Sequence, residues 1–135
     1  MAKAILSWSD DASPVEVASG EQLREMLRLL NEKHCDPPIT ALVQLQSGAS
    51  LYIGVGRDES AVVIHEPIEG SQWTVEWTSI GNPEREGEID FWLFGHHTPH
   101  LAASCLPLPT AIDCAVEYFE TRTCSRAVGW DEGRF

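Results

Sequence analysis

A change of hydrophobic period divides this chain and limits what it can become. From Leu23 to Leu30 the apolar residues Leu23, Met26, Leu27 and Leu30 recur at i, i+3, i+4, i+7, whereas from Ile39 to Phe94 the period changes to two in short segments separated by Gly, Asn, Asp, Ser or Pro. The first pattern is one face of a helix and the second is a set of half-buried strands. A helix segregated from a run of short strands separated by turn residues predicts an α+β fold with a mostly antiparallel sheet.

The helix has a clear start and stop. Ser19 followed three residues later by Gln22 is a capping-box signature, and Pro37 and Pro38 forbid continuation. Its outer face carries Arg24, Glu25, Arg28 and Glu32. A strand is expected before it at Lys3–Trp8, followed by turn-forming residues from Ser9 to Pro14. Period-two segments follow at Ile39–Gln46, Leu51–Val55, Ala61–His65, Trp73–Ser79 and Ile89–Phe94. The links Ser47–Ser50 and Gly56–Ser60 suit hairpins, and Glu66–Gln72 and Gly81–Glu88 read as carboxylate-rich loops.

On the fourth segment Trp73, Val75 and Trp77 share the face assigned to the core, and on the fifth Trp92 sits either under cover or at a contact surface. A second helix is expected from about Pro109, burying Ile112, Ala115, Val116 and Phe119 and exposing Asp113, Glu117 and Glu120. A short strand at Ala127–Trp130 closes the order β-α-β-β-β-β-β-α-β. With 135 residues the chain is sized for a single domain, 1–135.

Charge narrows the function. Nine basic residues oppose 21 acidic ones for a formal net charge of −12, and the span from Cys35 to Glu120 holds 13 acidic residues against Arg57 and Arg85 alone. Such a field repels nucleic acid and draws in basic surfaces. No apolar run reaches the roughly 18 residues that a membrane helix needs, and Met1–Trp8 lacks the layout of a secretion signal. The expected location is the bacterial cytoplasm, with no direct membrane or nucleic-acid partner.

Signs of catalysis are sparse. Cys35, Cys105, Cys114 and Cys124 have no paired C-x-x-C spacing and read as free thiols. His96, His97 and His100 with Cys105 form the cluster worth testing for a metal, but Pro99 breaks any helical i, i+4 placement, and surface histidines are the better reading. Gly54 and Gly56 lack the third glycine of a dinucleotide site and read as a turn. Cys105 or Cys114 with a remote His is the residual nucleophile, and the pairs Glu86/Glu88 and Glu88/Asp90 read as solvated rather than as acid and base. The expectation is a protein that is not an enzyme and takes no cofactor and no metal.

The C-terminal third has an order of its own: Phe94-Gly95, Leu106-Pro107, a helix with Ala111, Ala115 and Tyr118-Phe119, then Thr121 and Val128-x-Trp130. In these motifs, and in the order of elements before them, the chain resembles the immunity protein family numbered one of bacterial polymorphic toxin systems. Where members often have a Gly after this helix and an Arg-Pro pair before the last strand, this chain has Arg122 and Cys124-Ser125. A helix exit outside the left-handed region is therefore expected, since Arg enters that region at greater cost than Gly.

The resemblance implies an antitoxin that binds and blocks a cognate toxin domain, a nucleic-acid deaminase or a nuclease, as a monomer or 1:1 heterodimer. The charge agrees, because an enzyme on DNA or RNA needs a basic groove that an acidic protein can occupy. The residues expected to meet the partner are Asp58, Glu59, Glu66, Glu69, Glu84, Glu86, Glu88, Asp90 and Trp92. An acidic chaperone or adaptor for a basic effector is the alternative, and it would bind without abolishing activity. Prolonged chelation is expected to leave the melting temperature and partner binding unchanged. A stoichiometric metal whose removal unfolds the protein would refute this.

Overall fold

The computed structural model describes residues 3–134; residues 1, 2 and 135, the ends of the expected domain 1–135, lie outside the described residues. In chain order the elements are β1 (Ala4–Ser7), β2 (Val15–Val17), α1 (Gly20–Lys33), β3 (Ile39–Leu45), β4 (Ser50–Val55), β5 (Glu59–Ser60), β6 (Val62–Pro67) and β7 (Thr74–Ile80). Then come β8 (Glu88–Ile89), β9 (Trp92–Leu93), β10 (His96–His97), β11 (His100–Leu101), a 3-10 turn (Ala102–Ser104), β12 (Leu106–Pro107), α2 (Leu108–Thr121) and β13 (Gly129–Arg134). This is the expected α+β arrangement of two helices with a large antiparallel sheet.

The sheet runs β10-β9-β3-β4-β6-β7-β13, with β1 also paired to β3 and β2 to β1. Its register aligns Leu6, Val43, Leu51, Ile64 and Trp77 in one row, and Ala41, Ile53, Val62 and Ser79 in the next. These residues share the face that α1 and α2 cover, and all but the partly buried Trp77 are buried. The helical stripes meet that face through Leu23, Leu27 and Leu30 of α1 and Ile112, Ala115, Val116 and Phe119 of α2. The other face carries the row Leu42, Tyr52, Val63 and Thr78, which is only half-buried.

The cap of α1 works as the sequence suggests, with one shift. Ser19 Oγ accepts from the Gln22 N–H at 3.1 Å, while Gln22 Oε1 accepts from Ala18, one residue before the cap. Buried hydroxyls close gaps elsewhere. Ser79 Oγ accepts from Val62 N–H at 2.9 Å and donates to the Ser104 carbonyl at 2.8 Å, stitching the sheet to the 3-10 turn.

Four expectations need correction. β2 falls in a stretch too short to show a period, and β13 starts two residues later and runs longer than the expected Ala127–Trp130. Trp73 precedes β7 and is 53% exposed, so the strand begins after it and the core face starts at Val75. Ile89–Phe94 is not one strand: it is split between β8 and β9, and Phe91 between them is fully buried. Phe94 and Gly95 both have positive φ, 51° and 78°, and form the two-residue turn of the β9–β10 hairpin.

The expected Gly56–Ser60 hairpin is also more than a turn. Glu59 and Ser60 pair with Pro107 and Leu106, and Asp58 accepts from the Leu108 N–H at the start of α2. Gly54 lies inside β4, where an added Cβ would fall 2.4 Å from the Phe91 ring. Gly54 is thus a packing requirement, and Gly56, at φ +98°, is the turn.

Among the described residues no helix is long and apolar enough to cross a membrane. Replacing Leu27, fully buried on α1, or Phe119 on α2 by Ala is expected to cost about 2–5 kcal/mol through lost burial and a residual cavity. Urea unfolding of each variant measures this, and wild-type stability in both would contradict the assigned faces.

Candidate partner-binding surface

Two arginines assemble the acidic surface. Arg85, from the loop after β7, grips the Glu59 carboxylate through both terminal nitrogens and draws that loop against β5. Arg57 donates from Nε to the Asp90 carbonyl at 2.8 Å and lies 5.7 Å from the centre of the Phe91 ring. Exposed ion pairs add little to stability, so the consequence here is positional. Asp58 and Glu59 on one segment and Glu84, Glu86, Glu88 and Asp90 on another form a single ridge.

On this ridge Asp58, Glu84, Glu86 and Glu88 are exposed and have no ion-pair partner among the described residues. Six carboxylates against Arg57 and Arg85 leave the ridge with a formal net charge of −4, and Arg85 is paired with Glu59. Leu101 lies opposite Glu88 in the β8–β11 pair and is 60% exposed, which places an apolar side chain among carboxylates.

Glu66 and Glu69 do not join the ridge. They lie at the far end of β6, on the order of 20 Å along the strand direction from Glu59, with Glu69 exposed beyond the strand. The Glu66 carboxylate accepts from Tyr118 Oη at 3.1 Å and from Arg122 Nη2 at 2.9 Å. Burial pushes the Tyr118 hydroxyl up from its ordinary range, so it stays a proton donor to Glu66. Arg122 itself ends α2 at φ 62°, ψ 23°, in the left-handed region that its side chain was expected to avoid. Its guanidinium is fixed by Glu66 and lies over the Tyr118 ring at 5.6 Å, contacts that offset the backbone cost a Gly would not incur.

Trp92 is half-buried beside the ridge. His97 Nε2 lies 2.7 Å from Asp90 Oδ1, and the His97 ring lies 5.2 Å from that of Trp92, so the ridge and the indole are joined through His97. Beyond Trp92 opens a cleft of about 430 Å³ lined also by Trp8, His34 and Ile39. Trp8 and His34 were not among the residues expected to meet a partner. Nothing in local periodicity marks them, because the cleft is built from three distant segments.

The groups weighed for catalysis do not assemble. Burial raises the Cys105 and Cys124 thiols to about 11 and also raises Cys114, which keeps all three protonated and opposes a thiolate nucleophile. His96 and His97 are exposed on β10, whereas His100 turns away on β11, with its ring 5.4 Å from Phe91 and its Nε2 enclosed without a partner. His100 is therefore not the surface histidine expected. No group of three His, Cys, Asp or Glu side chains suited to a metal occurs among the described residues.

A surface of carboxylates and aromatics on a small α+β scaffold suits protein recognition. The family model for immunity protein Imm1 matches residues 11–132. The chain belongs to the Imm1 immunity protein family. No curated protein matches it. An Imm1 protein acts against a toxin, so its partner is a toxin protein and its working surface is one that binds protein.

The enclosed His100 imposes a pH dependence on this Imm1 protein. Burial lowers His100 from 6.5 to about 4 in the folded state, so the unfolded state binds its proton more readily. The neutral ring is fully accommodated above pH 6.5, and stability is lost as pH falls from there toward 4, by up to roughly 3 kcal/mol. Replacing His100 by Phe is expected to flatten this part of the stability–pH curve. An unchanged slope between pH 6.5 and 4 would contradict the assignment.

Proposed function

We propose that this protein binds and inhibits a cognate toxin domain that acts on nucleic acid, as a deaminase or nuclease, by placing its acidic ridge over the toxin's basic substrate groove. The observation that carries the reading is the convergence of Asp58, Glu84, Glu86 and Glu88 around the Glu59–Arg85 clamp, where carboxylates outnumber the two arginines. A groove that holds phosphates presents the complementary charge. Leu101 supplies apolar contact within the ridge, where a few desolvated side chains carry most of the affinity of a protein interface. The inhibitor works in the cytoplasm of the producing bacterium, in a 1:1 complex, and protects that cell and its kin from the toxin. It performs no chemistry and takes no cofactor.

The test is co-expression with the toxin domain encoded beside this gene, scored for survival, together with binding kinetics of the purified pair. Neutralising Asp58, Glu84, Glu86 and Glu88 together is expected to slow association and flatten its salt dependence, while dissociation changes little. Exposed charges steer encounter and are screened over about 8 Å at physiological ionic strength. Association indifferent both to these substitutions and to salt would refute steering by the ridge, and binding without inhibition would favour a chaperone or adaptor.

A further inference from the structure

The cleft beside Trp92 has a composition that the acidic ridge does not explain. Trp8 follows β1, Trp92 opens β9 and His34 caps the C-terminal end of α1, so its walls come from segments far apart in the chain. Backbone hydrogen bonds hold them in place: Trp92 N–H donates to the Pro38 carbonyl at 3.1 Å, and Phe94 N–H donates to the Trp8 carbonyl at 3.2 Å. The His97 ring supports Trp92 from the ridge side, and His34 meets the Trp8 ring edge-on at 6.3 Å. The aromatic walls are thus set before any partner arrives.

The electrostatics of the cleft favour a cation. Asp11 and Asp36 line it, both exposed and neither in an ion pair among the described residues. The C-terminal end of α1 adds the partial negative charge of a helix terminus. Lys33 is the opposing cation on the lining, and it lies within ion-pair distance of neither carboxylate. Indole faces attract cations through their quadrupole. A planar guanidinium can stack on such a face while donating two parallel hydrogen bonds to a carboxylate, whereas an ammonium is a more strongly hydrated point charge.

We infer that the Trp8–Trp92 cleft receives one arginine side chain projecting from the toxin domain, stacked against indole and paired with Asp11 or Asp36. The inference rests on the proposed toxin-binding reading and names the anchor of that interface. The ridge sets the rate of encounter and the cleft sets the lifetime of the complex. Because its walls are fixed in advance, little ordering cost is incurred on binding.

The experiment pairs the purified full-length protein with the toxin domain encoded beside its gene. Trp92→Ala is expected to speed dissociation about tenfold or more with little change in association, and Trp92→Phe to retain most of the lifetime. Charge reversal of the exposed rim residues, Asp11→Lys with Asp36→Lys, is expected to shorten the lifetime while leaving the melting temperature unchanged. Trp73→Ala, at an exposed tryptophan outside the cleft, is expected to bind as wild type. Among exposed arginines of the toxin, one Arg→Ala substitution should weaken binding to the wild-type inhibitor but not to Trp92→Ala. Folded Trp92→Ala and Asp11/Asp36 variants with wild-type lifetimes, or the absence of any toxin arginine coupled to Trp92, would overturn the inference alone. A wild-type protein that neither binds nor inhibits the toxin would overturn the reading beneath it.

Discussion

Burial of one sheet face under two helices is the constraint on which the molecule depends. The row Leu6, Val43, Leu51 and Ile64 must be kept from water, and so must the apolar stripes of α1 and α2. Placing both helices on the same side satisfies all three surfaces at once. It also leaves the opposite face, with Leu42, Tyr52 and Val63, to be treated by other means. The long excursion between β7 and α2 covers part of it, where Phe91 packs on Gly54 and the Thr98 hydroxyl meets that of Thr40 at 2.9 Å.

That excursion also carries most of the proposed contact surface, and the two roles are coupled. Arg57 and Arg85, the cations of the acidic stretch, secure the excursion to β5 and to the turn before it, through Glu59, the Asp90 carbonyl and the Phe91 ring. Arg85 offsets the charge of Glu59, and Arg57 is the one further cation of the stretch. The same contacts that order the loop bring six carboxylates together against these two arginines, so the ridge keeps a negative field. His97 extends the arrangement from Asp90 to the Trp92 wall of the cleft.

Among the described residues two carry positive φ against the preference of their side chains, and each is held by its surroundings. Phe94 shares the tight β9–β10 turn with Gly95, and its N–H is taken by the Trp8 carbonyl, which ties the hairpin to the end of β1. Arg122 ends α2 in the left-handed region and is secured by Glu66 and Tyr118. A carboxylate expected to steer a partner is thus occupied in closing a helix. Glu66 and the ridge carboxylates are identical in charge and differ only in what lies within reach.

The sequence by itself determined the elements whose signal is local. The period of 3.6 with Ser19 and Gln22 located α1, the alternation in β3, β4, β6 and β7 located the meander, and Pro109 marked the start of α2. These features depend on neighbours within a few residues, so a linear reading captures them. It also carried the net charge and the Imm1 motifs toward the C-terminus. Tertiary structure decided what depends on distant partners: the division of Ile89–Phe94 around a buried Phe91, the pairing of β5 with β12, and the left-handed exit at Arg122. It likewise separated Glu66 and Glu69 from the ridge and brought Trp8, His34 and Trp92 to one cleft. A side chain's type limits the interactions it can make, but the partners that fix its role come from segments tens of residues away, and only the closed sheet and its helices bring them together.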